Sequence, residues 1–145
     1  MTPATDTILI VDDNPSNLKL ASFVLVGVGY KVRTAMCAED AMAELRASLP
    51  RLILLDIQLP DTDGLTLARL IRQMPAMSRI PIIAVTAYAM KGDEEAARAV
   101  GIDAYVTKPI NTASLRGLVA EFMRRTEPSP NGESENERGD DDDGR

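Results

Sequence analysis

Five short aliphatic runs punctuate the chain: Ile8 to Val11, Val32 to Ala35, Leu52 to Leu55, Ile82 to Val85 and Ala104 to Val106. Each is bounded by turn or cap residues and is too short for a buried helix, so each reads as a strand. Segments with helical periodicity lie between them, at about 15 to 29, 38 to 48, 64 to 74 and 92 to 100, and a fifth follows at 112 to 125. Asn14-Pro15 sets a cap before a first-turn proline, Asn111 can cap the last helix, and Gly101 suits the exit of the fourth. This (βα)5 alternation implies an α/β fold, a doubly wound parallel sheet covered on both faces.

Strand order follows from polarity. A central parallel strand is buried on both faces, whereas an edge strand tolerates polar residues. The first, third and fourth runs are continuous aliphatics, the second reads Lys31-Val32-Arg33-Thr34-Ala35, and the fifth is very short. The edges should be strands 2 and 5, and right-handed crossovers then give the flavodoxin-like order 2-1-3-4-5, which reverses direction between strands 1 and 3. Ligands of such sheets bind at the carboxyl ends of the strands beside that reversal.

At 145 residues the expectation is one domain. We place it at 6–125 and expect 126–145 to be a disordered acidic tail, because from Glu127 onward there are no aliphatic or aromatic residues. The charge divides at the same place: Met1 to Thr126 holds 14 acids and 14 bases, and the formal net charge of -6 lies entirely in the last 19 residues. The bases are scattered, so no cluster is available to neutralise phosphates and a nucleic-acid partner is disfavoured. The absence of histidine excludes Cys/His zinc sites, His-dependent triads and phosphohistidine on this chain, and the single Cys37 cannot form an internal disulfide. Cys37 reads as a small packing residue. The longest apolar stretch, Phe23 to Gly29, is far short of the roughly 20 residues of a membrane span, and the N-terminus has no signal-like region. A cytoplasmic protein with no membrane contact is expected.

Strand 1 ends in Asp12-Asp13, strand 3 in Asp56, strand 4 in Thr86 and strand 5 in Thr107-Lys108-Pro109, so four strands deliver polar groups to one rim. Carboxylates about 4 Å apart repel by about 4 kcal/mol at an effective dielectric of 20. Lys108 or a hard divalent cation must offset this; carboxylates, a backbone carbonyl and waters suit Mg2+, which completes its shell with phosphate oxygens. Such a set is equipped for covalent phosphoryl transfer. Taken singly, Asp12, Asp13 or Asp56 would read as a turn or cap residue, Thr86 as a cap of the fourth helix, Lys108 as a surface charge and Tyr105 as packing.

These residues resemble the receiver domains of bacterial two-component response regulators over about residues 6 to 125. The resemblance rests on Asp12-Asp13, on Asp56-Ile57-Gln58-Leu59-Pro60 followed by Gly64, on Thr86-Ala87 and on Lys108-Pro109; residues 86 to 95 also look like hybrid-kinase receivers and single-domain cell-fate regulators. It implies that Asp56 accepts a phosphoryl group from a phosphohistidine on a sensor histidine kinase or histidine phosphotransfer protein. Asp12, Asp13, Asp56 and the backbone carbonyl of Gln58 would hold Mg2+, Asp12 mostly through water. Lys108 would pair with the phosphoryl group, its bond to Pro109 being cis, and Thr86 and Tyr105 would act as the switch. Gln58 and Tyr88 would tune phosphoryl lifetime, Tyr88 by shielding, which implies slow self-dephosphorylation at most. Asn14, Asn17, Leu20, Pro109 and Ile110 would dock the partner. The short polar remainder leaves no room for a fused effector, so output would be a bound downstream protein or onward phosphotransfer.

Two other readings compete with this one. An Mg2+-dependent phosphohydrolase with an aspartyl nucleophile would carry a DxD after strand 1, where this chain has Asp12-Asp13-Asn14-Pro15. A flavodoxin-like binding module would need a Ser/Thr/Gly-rich phosphate loop there. Asp61-Thr62-Asp63-Gly64 is no calcium loop, since leucine occupies both 59 and 70 where ligands are required. Gly27-Val28-Gly29 is no dinucleotide site, because Val32 takes the place of the third glycine.

Overall fold

The computed structural model describes residues 7–87 and 91–125, the side chains of 91–94 excepted. The elements expected from the sequence are realised in order: β1 (Thr7–Val11), α1 (Pro15–Val28), β2 (Lys31–Ala35), α2 (Ala38–Ala47), β3 (Leu52–Asp56), α3 (Gly64–Gln73), a 3-10 turn (Pro75–Met77), β4 (Ile82–Thr86), α4 (Lys91–Ala99), β5 (Ala104–Thr107) and α5 (Thr112–Arg125). The sheet is parallel in the order β2-β1-β3-β4-β5. The expected tail 126–145 lies outside the described residues, as does Tyr88.

Alternation along each strand divides the aliphatics between two cores. Leu9, Val11, Ile53, Leu55, Ile82 and Ala84 face one side and pack with Ala41, Leu45, Leu67, Ile71 and Ala97 of α2, α3 and α4. Ile8, Ile10, Leu52, Leu54 and Ile83 face the other and pack with Leu18, Ala21 and Leu25 of α1 and Leu115, Val119 and Phe122 of α5. Strands β1, β3 and β4 are therefore buried along their whole length, while β2 and β5 at the edges are only partly buried.

The caps fix where the helices enter from the rim. Asn14 Oδ1 accepts from the N–H groups of Ser16 and Asn17 at 2.8 and 3.2 Å, with Pro15 in the first turn. Asn111 Oδ1 accepts from Ser114 N at 2.9 Å. Gly101, after α4, has φ +95°, which a side chain would resist. Cys37 departs from the packing role expected of it: its Sγ accepts from Asp40 N at 3.4 Å and it stands as the N-cap of α2. Thr86 closes β4; the residues between it and α4 that bear on a capping role, 88–90, lie outside the described residues.

Candidate functional site

The carboxyl ends of β1 and β3 lie side by side, Val11 opposite Leu55, so the residues that follow converge. Ligand oxygens of Asp12, Asp13 and Asp56 all lie within 4.8 Å of one another. Asp12 and Asp56 are buried at 4 and 2 % exposure, and Asp13 is exposed at the mouth. Lys108 directly follows β5, and its peptide bond to Pro109 is cis. Its Nζ stands 3.3 Å from Asp12 Oδ2 and 3.2 Å from Asp56 Oδ2.

Each buried carboxylate has its other oxygen fixed by the backbone just downstream. Asp12 Oδ1 accepts from Asn14 N, and Asp56 Oδ1 accepts from Gln58 N, both at 2.9 Å. Burial pushes the Asp56 carboxyl above its ordinary range and the charge of Asp12 adds to the push, against the Gln58 N–H and the Lys108 ammonium. Burial alone would lower Lys108, but Asp56 and Asp12 outweigh it, so the ammonium is held more firmly than in water. Among the described residues one lysine thus answers the two buried carboxylates of a three-carboxylate cluster. The donor set, three hard oxygen ligands with negative charge in excess, fits Mg2+ and suits no softer metal.

The other expected residues fall around this centre. Thr86 is 2 % exposed at the end of β4, next to Thr107 of β5, and Lys108 N donates to Thr86 O at 2.7 Å, which ties the lysine loop to the threonine. Tyr105 is partly buried and packs against the core that carries α2, α3 and α4. Gln58 is exposed and bridges to Asp63 across the loop. Asn17 and Ile110 line a small cleft together with Asp12 and Asp56, while Asn14, Leu20 and Pro109 are exposed at or near the same rim.

Two features were not read from the sequence. Asp61 accepts from Ala38 N and Glu39 N at 2.9 and 3.0 Å, which holds its carboxyl below the usual range and pins the loop after β3 onto the start of α2. Asp63 caps α3 by accepting from Leu65 N at 3.1 Å. The two acids of the discarded calcium-like string are therefore helix caps. The second feature is the closeness of Gly64: a Cβ there would stand 2.5 Å from Asp56 O and 2.6 Å from Ile57 Cα. Only the conjunction of Asp56 with a glycine eight residues on could have signalled it.

A doubly wound domain that gathers three carboxylates and a lysine at its switch point is the framework of the receivers of two-component signalling. The chain belongs to the response regulator receiver domain family, whose model matches residues 8–120. It is 41% identical over 119 residues to the polar-differentiation response regulator DivK of Brucella ovis, a match that covers 82% of this chain and 97% of that protein. Among solved structures it is similar to a CheY-like receiver domain protein from Methanospirillum hungatei JF-1, with TM-score 0.79 and 30% identity, covering 85% of this chain and 97% of the other. It is similar also to the receiver domain of a sensor histidine kinase from Pseudomonas aeruginosa PAO1, solved with a magnesium ion coordinated in the active site cleft; TM-score is 0.76 and identity 33%, over 83% of this chain and 99% of the other. No helix among the described residues is long and apolar enough to cross a membrane.

Proposed function

We propose that Asp56 is the phosphoacceptor of a two-component relay and that it takes its phosphoryl group from a phosphohistidine on a sensor histidine kinase or a histidine phosphotransfer protein. The observation that carries this is the set of Asp12, Asp13 and Asp56 within 4.8 Å with Lys108 Nζ between the two buried members. In the transfer an Asp56 oxygen bonds to phosphorus, the P–N bond of the donor breaks, and the imidazole leaves and takes up a proton. Asp12, Asp13, Asp56 and the backbone carbonyl of Gln58 would hold Mg2+, which when bound supplies charge neutralisation between carboxylates and phosphoryl oxygens.

The residues of this chain do the rest. Asp56 Oδ1 is committed to Gln58 N, so Oδ2, now on Lys108, is the oxygen that attacks. Lys108 then follows the negative charge from the carboxylate to the phosphoryl oxygens. The Thr86 hydroxyl binds a further phosphoryl oxygen, and Tyr105 turns further inward behind it, which changes the face of α4, β5 and α5 seen by a downstream protein. Asn14, Asn17, Leu20, Pro109 and Ile110 dock the donor; the Asn14 carbonyl oxygen is occupied by α1, so its amide is the group left to donate. Gln58 and Tyr88 set the lifetime. Neither offers a carboxylate to activate water, so self-dephosphorylation is slow. The domain extends over 6–125 with 126–145 as a separate acidic tail, and the protein works in the cytoplasm.

The test is incubation with Mg2+ and acetyl phosphate followed by intact mass. One stoichiometric phosphoryl adduct, absent in Asp56→Asn and without Mg2+, is expected. Multiple-turnover phosphate release from varied esters would instead mark a phosphohydrolase and refute the acceptor role.

A further inference from the structure

The ligands of the proposed Mg2+ site come from two segments of chain. Asp12 and Asp13 follow β1, whereas Asp56 and the Gln58 carbonyl belong to the end of β3 and the loop after it. Within that loop Gly64 N donates to Ile57 O at 2.7 Å, Gln58 bridges to Asp63, and Ile57 N donates to Val85 O at 3.1 Å. These bonds shape the loop and tie it to β4, on the side of β3 away from β1.

Asp61 reaches the other way. Its Oδ1 accepts from Ala38 N at 2.9 Å and its Oδ2 from Glu39 N at 3.0 Å. These N–H groups hold the carboxyl below its usual range even though Glu39 and Asp40 bring two more acids to the same first turn of α2. The start of α2 is in turn joined to the segment after β1. Asp12 N donates to Ala35 O at 3.0 Å, and only Met36 and Cys37 separate Ala35 from Ala38.

We infer that Asp61 is a positioning residue of the metal site: by gripping the start of α2 it closes a circuit that sets the ligands after β1 against those after β3. The circuit runs from Asp12 through Ala35 to Ala38, crosses to Asp61, and returns along the loop to Gln58 and Asp56. This deepens the reading of the carboxylate cluster as an Mg2+ site and rests on it. Asp61 is exposed and stands outside that cluster, so it acts through the chain. The connection back to Gln58 is stiff, because Pro60 has a ring-fixed φ and Leu59 packs partly buried against the core of α2, α3 and α4.

Mg2+ requires near-octahedral oxygens at about 2.0–2.1 Å, so ligands that drift apart bind it less well. With the circuit closed the two halves are already in register, and with it open the loop must be ordered as the metal binds. A group that touches a metal ligand changes affinity by about 10–100-fold, and Asp61, one step removed, should contribute about three- to tenfold. The coupling is reciprocal, so Mg2+ must strengthen the grip on α2, a helix that supplies none of the four expected ligands.

The test is a Mg2+ titration of the full chain, without phosphodonor, read by amide shifts. Asp61→Ala should raise the Mg2+ dissociation constant about three- to tenfold, and the Ala38 and Glu39 resonances, which move with Mg2+ in the parent, should no longer follow it. Asp61→Asn removes the charge but keeps an acceptor. One amide oxygen can take two successive N–H groups, as Asn14 Oδ1 does for α1, so this chain should bind within about twofold of the parent. Arg33→Met loosens α2 at its far end, where the guanidinium donates to Glu44 Oε1 and Ser48 O at 2.8 Å each, and should leave Mg2+ affinity unchanged.

Equal binding by the parent and Asp61→Ala overturns the inference. So does an Asp61→Asn chain as weak as Asp61→Ala, which makes the effect one of charge, or an equally weak Arg33→Met chain, which makes it one of helix stability. A parent that binds no Mg2+ defeats the proposed site and this inference together, and the parent titration alone tells that outcome from the others.

Discussion

Replacing Gly64 by alanine tests whether the loop after β3 is set by steric closeness. The new Cβ would lie 2.5 Å from Asp56 O, 2.6 Å from Ile57 Cα and 2.9 Å from Ile57 O, and all three are backbone atoms that no side-chain rotation can move away. Ordinary contact begins at 3.4 Å, so the start of α3 must retreat from β3 by about 0.9 Å. That movement lengthens the Gly64 N to Ile57 O hydrogen bond, now 2.7 Å, beyond a useful distance. Overpacking costs about 1–3 kcal/mol, the lost hydrogen bond about 1 kcal/mol, and the better helix propensity of alanine returns up to about 1 kcal/mol. A net loss of about 2 kcal/mol should lower Tm by about 8 °C for a domain of this size. The same shift moves the peptide that presents Gln58 N to Asp56 Oδ1, so Mg2+ affinity should fall by about tenfold or more, as for other groups that orient metal ligands. Calorimetry and a Mg2+ titration read both effects, with Gly117→Ala as the control: its Cβ meets nothing within 4 Å, and it should raise Tm by a few degrees. A Gly64→Ala chain that melts within about 1 °C of the parent and binds Mg2+ equally well would refute the reasoning.

Asp13→Ala should abolish Mg2+-dependent phosphorylation while leaving the circular dichroism spectrum unchanged and the melting temperature equal or higher, because it removes an exposed carboxylate that repels two others; undiminished adduct formation would exclude Asp13 from the site. Asp56→Asn should melt higher than the parent at neutral pH without Mg2+. The folded pKa of Asp56 is raised, so its charged form costs stability above that value, and the advantage of the asparagine chain should disappear as pH falls to the ordinary carboxylate range near 3.8; a pH series of melts decides it. Arg72→Met should cost about 3 kcal/mol, since its guanidinium donates to Gly101 O at 2.9 Å, Ile80 O at 2.7 Å and the Asp103 carboxylate at 2.8 Å, and urea titration gives the value. Truncation after Thr126 should leave both melting and phosphorylation unchanged, the removed residues having no apolar side chain to bury.

The order of the sheet was legible because burial on both faces leaves a mark that needs no partner to interpret: β1, β3 and β4 are unbroken aliphatic runs, and Lys31 and Arg33 can stand only at an edge. The acids of the site were legible for the converse reason, since a charged residue directly after a wholly apolar strand is carried to the rim whether or not it has a local use. What the sequence concealed depends on contacts between distant loops. Asp61 and the start of α2 are 22 and 23 residues apart along the chain, and no local pattern announces that they meet. Cys37 is a poor hydrogen-bond acceptor, and its place as N-cap of α2 follows from the backbone leaving β2 rather than from its chemistry.

The hydrogen bonds at the carboxylates also divide fixed from exchangeable charge. Asp12 Oδ1 and Asp56 Oδ1 are tied to main-chain N–H groups two residues onward, contacts that persist as long as the loops keep their shape. Asp12 Oδ2 and Asp56 Oδ2 share one ammonium on a long side chain, which can leave without unfolding anything. If Asp56 is the acceptor, phosphorylation turns its Oδ2 into the bridging oxygen of an acyl phosphate and places new charge farther out, so the strongest attraction on Lys108 moves outward while the aspartate backbone stays in place. Because Lys108 N is bonded to Thr86 O, that outward pull acts on the end of β4 and on the loop entering α5 together. The face formed by α4, β5 and α5 is then a part of the surface with a mechanical connection to the phosphoryl group, whereas α1, anchored through Asn14 to the fixed oxygen of Asp12, should keep its shape in both states.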